Sequence, residues 1–373
     1  VPRIDFTDDP TGHLLLEPQG TNLFTYSEDF SQSVWSTYAS SKTLSNNINP
    51  KGINGYYEIS HTEFPTDNPN TRLQLVSLNG SYTLSVFVKI NQSRYISLSI
   101  SDYDGDKARV YFDTINKTFT TISDIGSPIT NTSYSEFSND WIRISLSVNL
   151  VNAVYNEVAI GMYNPSGSFP SASGEVISVF GAQLEQQSYP TSYIPTSGSA
   201  VTRNQELCNN SGTVNDFNSE EGVLYAEIAA LADDGLTRRL SISDGTNNNR
   251  ILIGYSSSNR FQFVVLDGGS VVVNQLITVS DITQFNKVAF KYKLNDCAFW
   301  INGQEVGTDT TATMPSGLDL LNFDQASGTE NFYGKTKNLK VFKRALTDAE
   351  LYLLTVTQYQ SYQEMATALN YTL

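Results

Sequence analysis

The chain has 373 residues, enough for two domains with separate cores, and its 39% apolar and 12% aromatic content marks it as globular. Only 16% of residues are charged, yet the net charge is −15. That charge repels phosphate backbones and excludes nucleic-acid binding unless a basic patch exists, and "KTKNLKVFKR" (335–344) and "TRR" (237–239) are too short to form one.

The lead "VPRIDFTDDPTGHLLLEPQG" (1–20) does not alternate like a full strand. It is expected to pair with a neighbouring subunit or to continue upstream into an attachment domain, set against a plain extended edge segment on its own sandwich. From residue 21 to 190, period-two alternation dominates. "YTLSVFVKI" puts Leu84, Val86, Val88 and Ile90 on one face. "RYISLSIS" does so with Ile96, Leu98 and Ile100, and "WIRISLSVNL" with Ile142, Ile144, Leu146 and Val148. Ser, Lys, Arg and Asn fill the other face. These are half-buried antiparallel strands, punctuated by turns at Asn79-Gly80, Asp104-Gly105 and Gly126–Pro128.

The pattern stops near Gln187, and a Pro/Ser/Thr/Gly-rich stretch over 191–215 reads as a linker. Alternation resumes over 216–355 in "VLYAEIA", "RILIGY", "RFQFVVL", "KVAFKYKL" and "CAFWI". Asn302-Gly303 between such runs is a strong hairpin signal. Helices are expected only at the C-terminus. Thr347 to Glu350 and Ser361 to Glu364 form capping-box patterns, the second within a helical tail at 356–373. The fold class is therefore all-β: two tandem antiparallel β-sandwiches of jelly-roll type with short C-terminal helices.

No apolar run approaches the ~18 residues of a membrane span, so no membrane insertion is expected. Cys208 and Cys297 make neither a disulfide framework nor a CxxC metal site, and Cys297, in an apolar run, reads as a buried free thiol. For catalysis, paired carboxylates are the first requirement of a glycosidase. The E-x-D-x-x-E strand of concanavalin-like glucanases is absent, and neither His13 nor His61 stands near a nucleophile motif, so no catalytic residue is assigned. In "SDYDGDKARVYFD", Asp102, Asp104 and Asp106 offer the oxygen density that Ca2+ requires, set against a plain hairpin turn built on Asp-Gly. For sugar stacking, Trp300 lies opposite Phe299 and Ile301 on its strand. It is either an exposed platform or the contact of a flanking element, while Tyr56, Tyr57 and Tyr103 are further candidates.

Two resemblances add to this reading. "LLLEPQGTNLFTYSEDFSQSVW" (14–35), "YTLSVFVK", "WIRISLSV" and "FGAQLEQQSYPTSYIPTSGSAVTRNQE" (180–206) resemble, in order and spacing, a module of bacteriophage tail and fibre proteins with a carbohydrate-binding-module-like jelly roll. "FWINGQEVG" (299–307) and "FYGKTKNLKVFKRALTDAEL" (332–351) resemble the closing hairpin, strand and helix of the laminin-G / concanavalin-A-like lectin fold. The resemblance implies a non-catalytic virion appendage protein, extracellular once assembled. Its implied partners are a host-surface polysaccharide, other virion proteins and further copies of itself, by analogy with fibres as a trimer. The alternatives are a polysaccharide depolymerase of the same fold and a purely structural spacer.

Overall fold

The computed structural model describes residues 3–7, 10–62, 70–76, 78–90, 93–102, 107–125, 129–150, 155–162 and 175–356. The chain divides into two compact units, one made of Gln19–Gln205 and the other of Val1–Pro18 with Glu206–Leu373. Both are antiparallel β-sandwiches. Among the described residues there is one helix, α1 (Asp348–Thr355).

The Gln19–Gln205 unit packs two six-stranded sheets face to face. In spatial order, the first runs Thr118–Ile125, Lys107–Asp113, Tyr95–Asp102, Tyr155–Met162, Asn70–Val76 and Ser36–Tyr38. The second runs Ile129–Glu136, Trp141–Leu150, Gly80–Lys89, Val176–Glu185, Asn54–His61 and Ser40–Ile48. The alternation read from the sequence places the core here. Leu84, Val86, Val88, Ile96, Leu98, Ile100, Ile142, Ile144, Leu146 and Val148 all join one buried cluster between the sheets. Trp35 closes one end of that core, with its ring 4.9 Å from Phe24 and 4.8 Å from Phe30, and it donates Nε1–H to the Tyr26 carbonyl at 2.7 Å.

The stretch expected to be a linker is different. Residues 191–205 fall inside the first sandwich. Tyr189, Thr191, Ile194 and Thr196 are buried, and Val201–Arg203 pairs with Gly20–Asn22. The reason is a polar clamp that composition does not reveal. Glu185 accepts hydrogen bonds from the Thr191 backbone N–H (2.7 Å), Thr191 Oγ1 (2.7 Å) and Gln183 Nε2 (2.8 Å). The Ile194 N–H donates to Gln183 Oε1 at 2.7 Å, and Asn22 Nδ2 donates to the Ala182 and Ile194 carbonyls. Tyr193 then lies against Gly181, whose φ of +59° and missing Cβ make room for the ring. The proline-rich segment is a strap rather than a hinge.

The second unit pairs a seven-stranded sheet with a five-stranded one. The seven run Arg3–Asp5, His13–Leu16, Gly334–Phe342, Glu221–Ala230, Asn286–Lys293, Cys297–Ile301 and Gln304–Asp309. The five run Ser270–Thr278, Arg260–Asp267, Arg250–Ser257, Arg238–Ser243 and Leu320–Asn322. The lead segment is thus an edge of this sandwich, with Leu14 opposite Thr336 and Leu16 opposite Gly334. The Asn302-Gly303 turn has positive φ at both residues (50° and 82°), as a two-residue hairpin requires. Cys297 is a buried free thiol, and burial pushes it up to about 11. Helix α1 starts with the expected capping box, in which the Thr347 N–H donates to Glu350 Oε2 at 2.8 Å and the Glu350 N–H to Thr347 Oγ1 at 3.4 Å. The second capping-box pattern lies outside the described residues.

Candidate functional site

The residues singled out from the sequence as sugar platforms are placed as follows. Trp300 is 7% exposed and packs with Val223, Tyr225, Ala289, Ala298, Leu346 and Leu351. It does lie on the outer face of its sheet, but α1 lies over that face. The apolar residues of the helix need a partner, and a short helix has no stability without one. The ring is therefore a helix dock and not an open platform. Tyr56 is buried on the outer face of its own sheet, edge-on to Trp141 at 5.1 Å. Tyr57 is buried in the core and donates its hydroxyl to Asp29 Oδ1 at 2.7 Å. Neither presents a ring to solvent. Tyr103, Asp104 and Asp106 lie outside the described residues, as does the side chain of Asp102. Among the described residues no cluster of His, Cys, Asp or Glu is arranged to hold a metal ion. The Asp244 carboxylate serves its own turn, accepting from the Thr246 N–H (2.8 Å), Thr246 Oγ1 (2.6 Å) and Asn249 Nδ2 (2.8 Å).

A better site lies on the outer face of the six-stranded sheet that contains Tyr95–Asp102, Lys107–Asp113 and Tyr155–Met162. Even-numbered residues of these strands enter the core. The odd-numbered ones form rows across the sheet. One row sets Tyr111 beside Ser97, and Ser97 beside Gly161. The next sets Arg109 beside Ser99, and Ser99 beside Ala159. Ser101 and Glu157 share a third. Among the described side chains of this face, none larger than alanine is aliphatic. The Tyr95 and Tyr111 rings meet edge-to-face at 5.5 Å, and the Arg94 guanidinium sits 4.9 Å from the Tyr95 ring centre while pairing with Asp113 at 3.0 Å. Ser99, Ala159 and the Tyr111 ring that backs Tyr95 are only 4%, 8% and 9% exposed, whereas Tyr95, Arg109 and Glu157 are half-buried. The small side chains thus form a recessed floor between taller polar and aromatic ones.

Such a surface suits a pyranose. Its C–H faces pack on aromatic rings, and its hydroxyls need both a donor set, as in Arg109, and an acceptor, as in Glu157. The sequence reading treated these positions as a solvated face. The signal that marks them is the composition of one parity, Tyr-Ser-Ser-Ser in "YISLSIS" and Arg-Tyr-Asp in "RVYFD". It became a site only when pairing set those strands side by side.

A family model described as the Concanavalin A-like lectin/glucanases superfamily (Laminin_G_3) matches residues 224–352. Among solved structures, the Ruminococcus gnavus IT-sialidase CBM40 is similar at 16% identity and a TM-score of 0.35, covering 41% of this chain and 96% of that one. Mouse laminin alpha1 chain domains LG4-5 are similar at 12% identity and a TM-score of 0.27, with 74% and 88% covered. A tail fiber protein from an E. coli phage is similar at 8% identity and a TM-score of 0.23, with 92% and 41% covered. Identities and scores at this level assign no function. No curated protein matches the chain. Residues 224–352, with their two antiparallel sheets and closing helix, form a concanavalin-A-like lectin/laminin-G domain.

Proposed function

We propose that the protein is a non-catalytic carbohydrate-binding protein whose Gln19–Gln205 sandwich holds a glycan on the face of Tyr95, Arg109 and Glu157, with the buried Tyr111 supporting the Tyr95 ring. The observation that carries this reading is the face itself, a sheet surface with a half-buried ring, a guanidinium, a carboxylate and a recessed floor of serine, glycine and alanine. The concanavalin-A-like domain at 224–352 supports a lectin-type role for the chain as a whole. The order and spacing of the 14–35 and 180–206 motifs support the finer reading of an extracellular bacteriophage appendage directed at host-surface polysaccharide.

The test is a glycan array followed by titration of the best ligand. Losing one ring contact worth about 1–2 kcal/mol weakens binding roughly 5- to 30-fold, which is the effect expected of Tyr95→Ala, with the sandwich still folded and only a small fall in thermal midpoint from the lost Tyr111 and Arg94 contacts. Equal affinity in the variant would remove the face from consideration. Binding of the wild type to no sugar would leave the spacer reading. Release of reducing ends or unsaturated uronates from host capsule would favour the depolymerase.

A further inference from the structure

The outer strand of a sheet exposes a row of backbone N–H and C=O groups, and folded proteins blunt such edges with short strands, charges or bulges. The large sheets of this protein follow that rule at nearly every end. Arg3–Asp5, Ser36–Tyr38 and Leu320–Asn322 have three residues each. Gln304–Asp309 carries Glu305 and Asp309, and Thr118–Ile125 carries Asp124. Ile129–Glu136 carries Glu136 and a bulge after Ile129. Ser40–Ile48 carries Lys42, whose Nζ donates to the Trp35 carbonyl.

Ser270–Thr278, the outer strand of the five-stranded sheet, is the exception. It is nine residues long, SVVVNQLIT, and lies within a run from Gly268 to Ser280 that holds no charged residue. One side of it pairs with Arg260–Asp267, with a single bulge near Val272. Among the described residues no backbone hydrogen bond reaches its other side. Val273 enters the core, whereas Val271 and Leu276 are 59% and 43% exposed, and Asn274 and Thr278 are exposed beside them. Valine, isoleucine and leucine fill five of its positions, a composition that favours pairing over solvation.

Charge selects the occupant. The chain carries −15, so two copies repel each other over most of their surface. Laid against itself, this strand brings no charged side chain of one copy onto the other. Antiparallel pairing about a two-fold axis lets the same row of groups act as donor and acceptor at once. Alternate residues of such a strand bond outward, so nine residues give about eight hydrogen bonds between copies, close to the ~10 of an ordinary interface. Each copy has one edge of this kind, so the pairing closes at two chains and does not run on into a fibre.

We propose that Ser270–Thr278 is a dimerisation edge, pairing antiparallel with the same strand of a second copy to make one continuous ten-stranded sheet. Such a dimer carries the glycan face of Tyr95 twice, an arrangement that gains avidity on a repeating polysaccharide.

The test is sedimentation velocity of the whole chain from about 1 to 200 μM. The expected result is twice the 41.2 kDa of one chain at the top of that range, falling to a single chain on dilution. Asn274→Lys sets an exposed charge in the strand, and a lysine on each copy then faces its twin. It weakens association at least ~10-fold while the thermal midpoint stays at the wild-type value. Leu44→Lys, on the edge that already holds Lys42, leaves the dimer intact. Hydrogen exchange on the unaltered chain guards against a variant that fails to fold: amides of 270–278 exchange at least ~10-fold more slowly at 200 μM than at 1 μM. A single chain at about 200 μM, a trimer, a dimer that survives Asn274→Lys or yields to Leu44→Lys, or exchange at 270–278 that ignores concentration would each overturn the proposal.

Discussion

Leu351→Ala tests whether α1 is what closes the Trp300 face. Leu351 is fully buried against Val223, Tyr225, Ala289, Ala298 and Trp300, and Leu346 and Leu354 complete the contact. Deleting three buried carbons of such a leucine costs about 2–5 kcal/mol. An eight-residue helix has no stability of its own to offset that loss. Among the described residues, the polar ties at its C-terminal end run from the Gly303 N–H to Thr355 Oγ1 at 3.2 Å and from Lys287 Nζ to the Val356 carbonyl at 3.1 Å. At roughly 2–4 °C per kcal/mol for a domain of this size, the midpoint of the lectin-like domain should fall by about 4–20 °C. Tryptophan emission supplies an independent readout. Trp35 and Trp141 are buried in the other sandwich with their indole N–H groups bonded to the Tyr26 and Ile48 carbonyls, so they should stay shielded. Trp300, whose Nε1 has no partner among the described residues, should become quenchable by acrylamide and shift to the red. A lowered midpoint with unchanged quenching would show that something other than α1 shields the ring. An unchanged midpoint would refute the packing argument altogether.

Gly181→Ala should destabilise the Gln19–Gln205 sandwich by about 2–4 kcal/mol, from the left-handed backbone penalty plus crowding of a packed site. The new Cβ would sit 2.9 Å from Tyr193 Cζ and 3.1 Å from Phe87 Cδ2. Denaturant titration followed by Trp35 and Trp141 emission checks it, and a wild-type midpoint would refute it. Burial raises Glu185 above its ordinary carboxylate range, outweighing the hydrogen bonds from Thr191 and Gln183 and the nearby Arg143. A raised folded-state value means a contribution that is fully present below the unfolded value near ~4.3 and is lost as pH climbs through the folded value. Glu185→Gln should flatten that fall in a stability profile taken upward from about pH 4, and superimposable profiles would count against it. Asp234 grips Arg238 through two bonds of 2.8 and 2.6 Å in a buried pair. Asp234→Ala should cost about 3–5 kcal/mol by stranding the guanidinium, while the joint replacement Asp234→Leu with Arg238→Met should recover most of it. Thermal scans of both variants decide the point.

What the sequence determined was everything that depends on neighbours along the chain. Alternation of Leu84-Val86-Val88 or Ile142-Ile144-Leu146 fixes which face of a strand meets the core, because side chains alternate with period two wherever the strand lies. Asn302-Gly303 fixes a tight hairpin, and Thr347 with Glu350 fixes a helix start, because the groups involved are a few residues apart. Tertiary structure alone decided the rest. Pro190 to Thr196 reads as a flexible seam until Glu185, Gln183 and Asn22 are seen to satisfy its backbone. The first residues read as an arm until His13–Leu16 is seen beside Gly334–Phe342, more than three hundred positions away. Trp300 is on the outer face as its strand parity demands, yet parity carries no information about what lies over that face. The Tyr95–Tyr111 surface is likewise a product of register, since hydrogen bonding between strands, and not spacing within them, brings those side chains together.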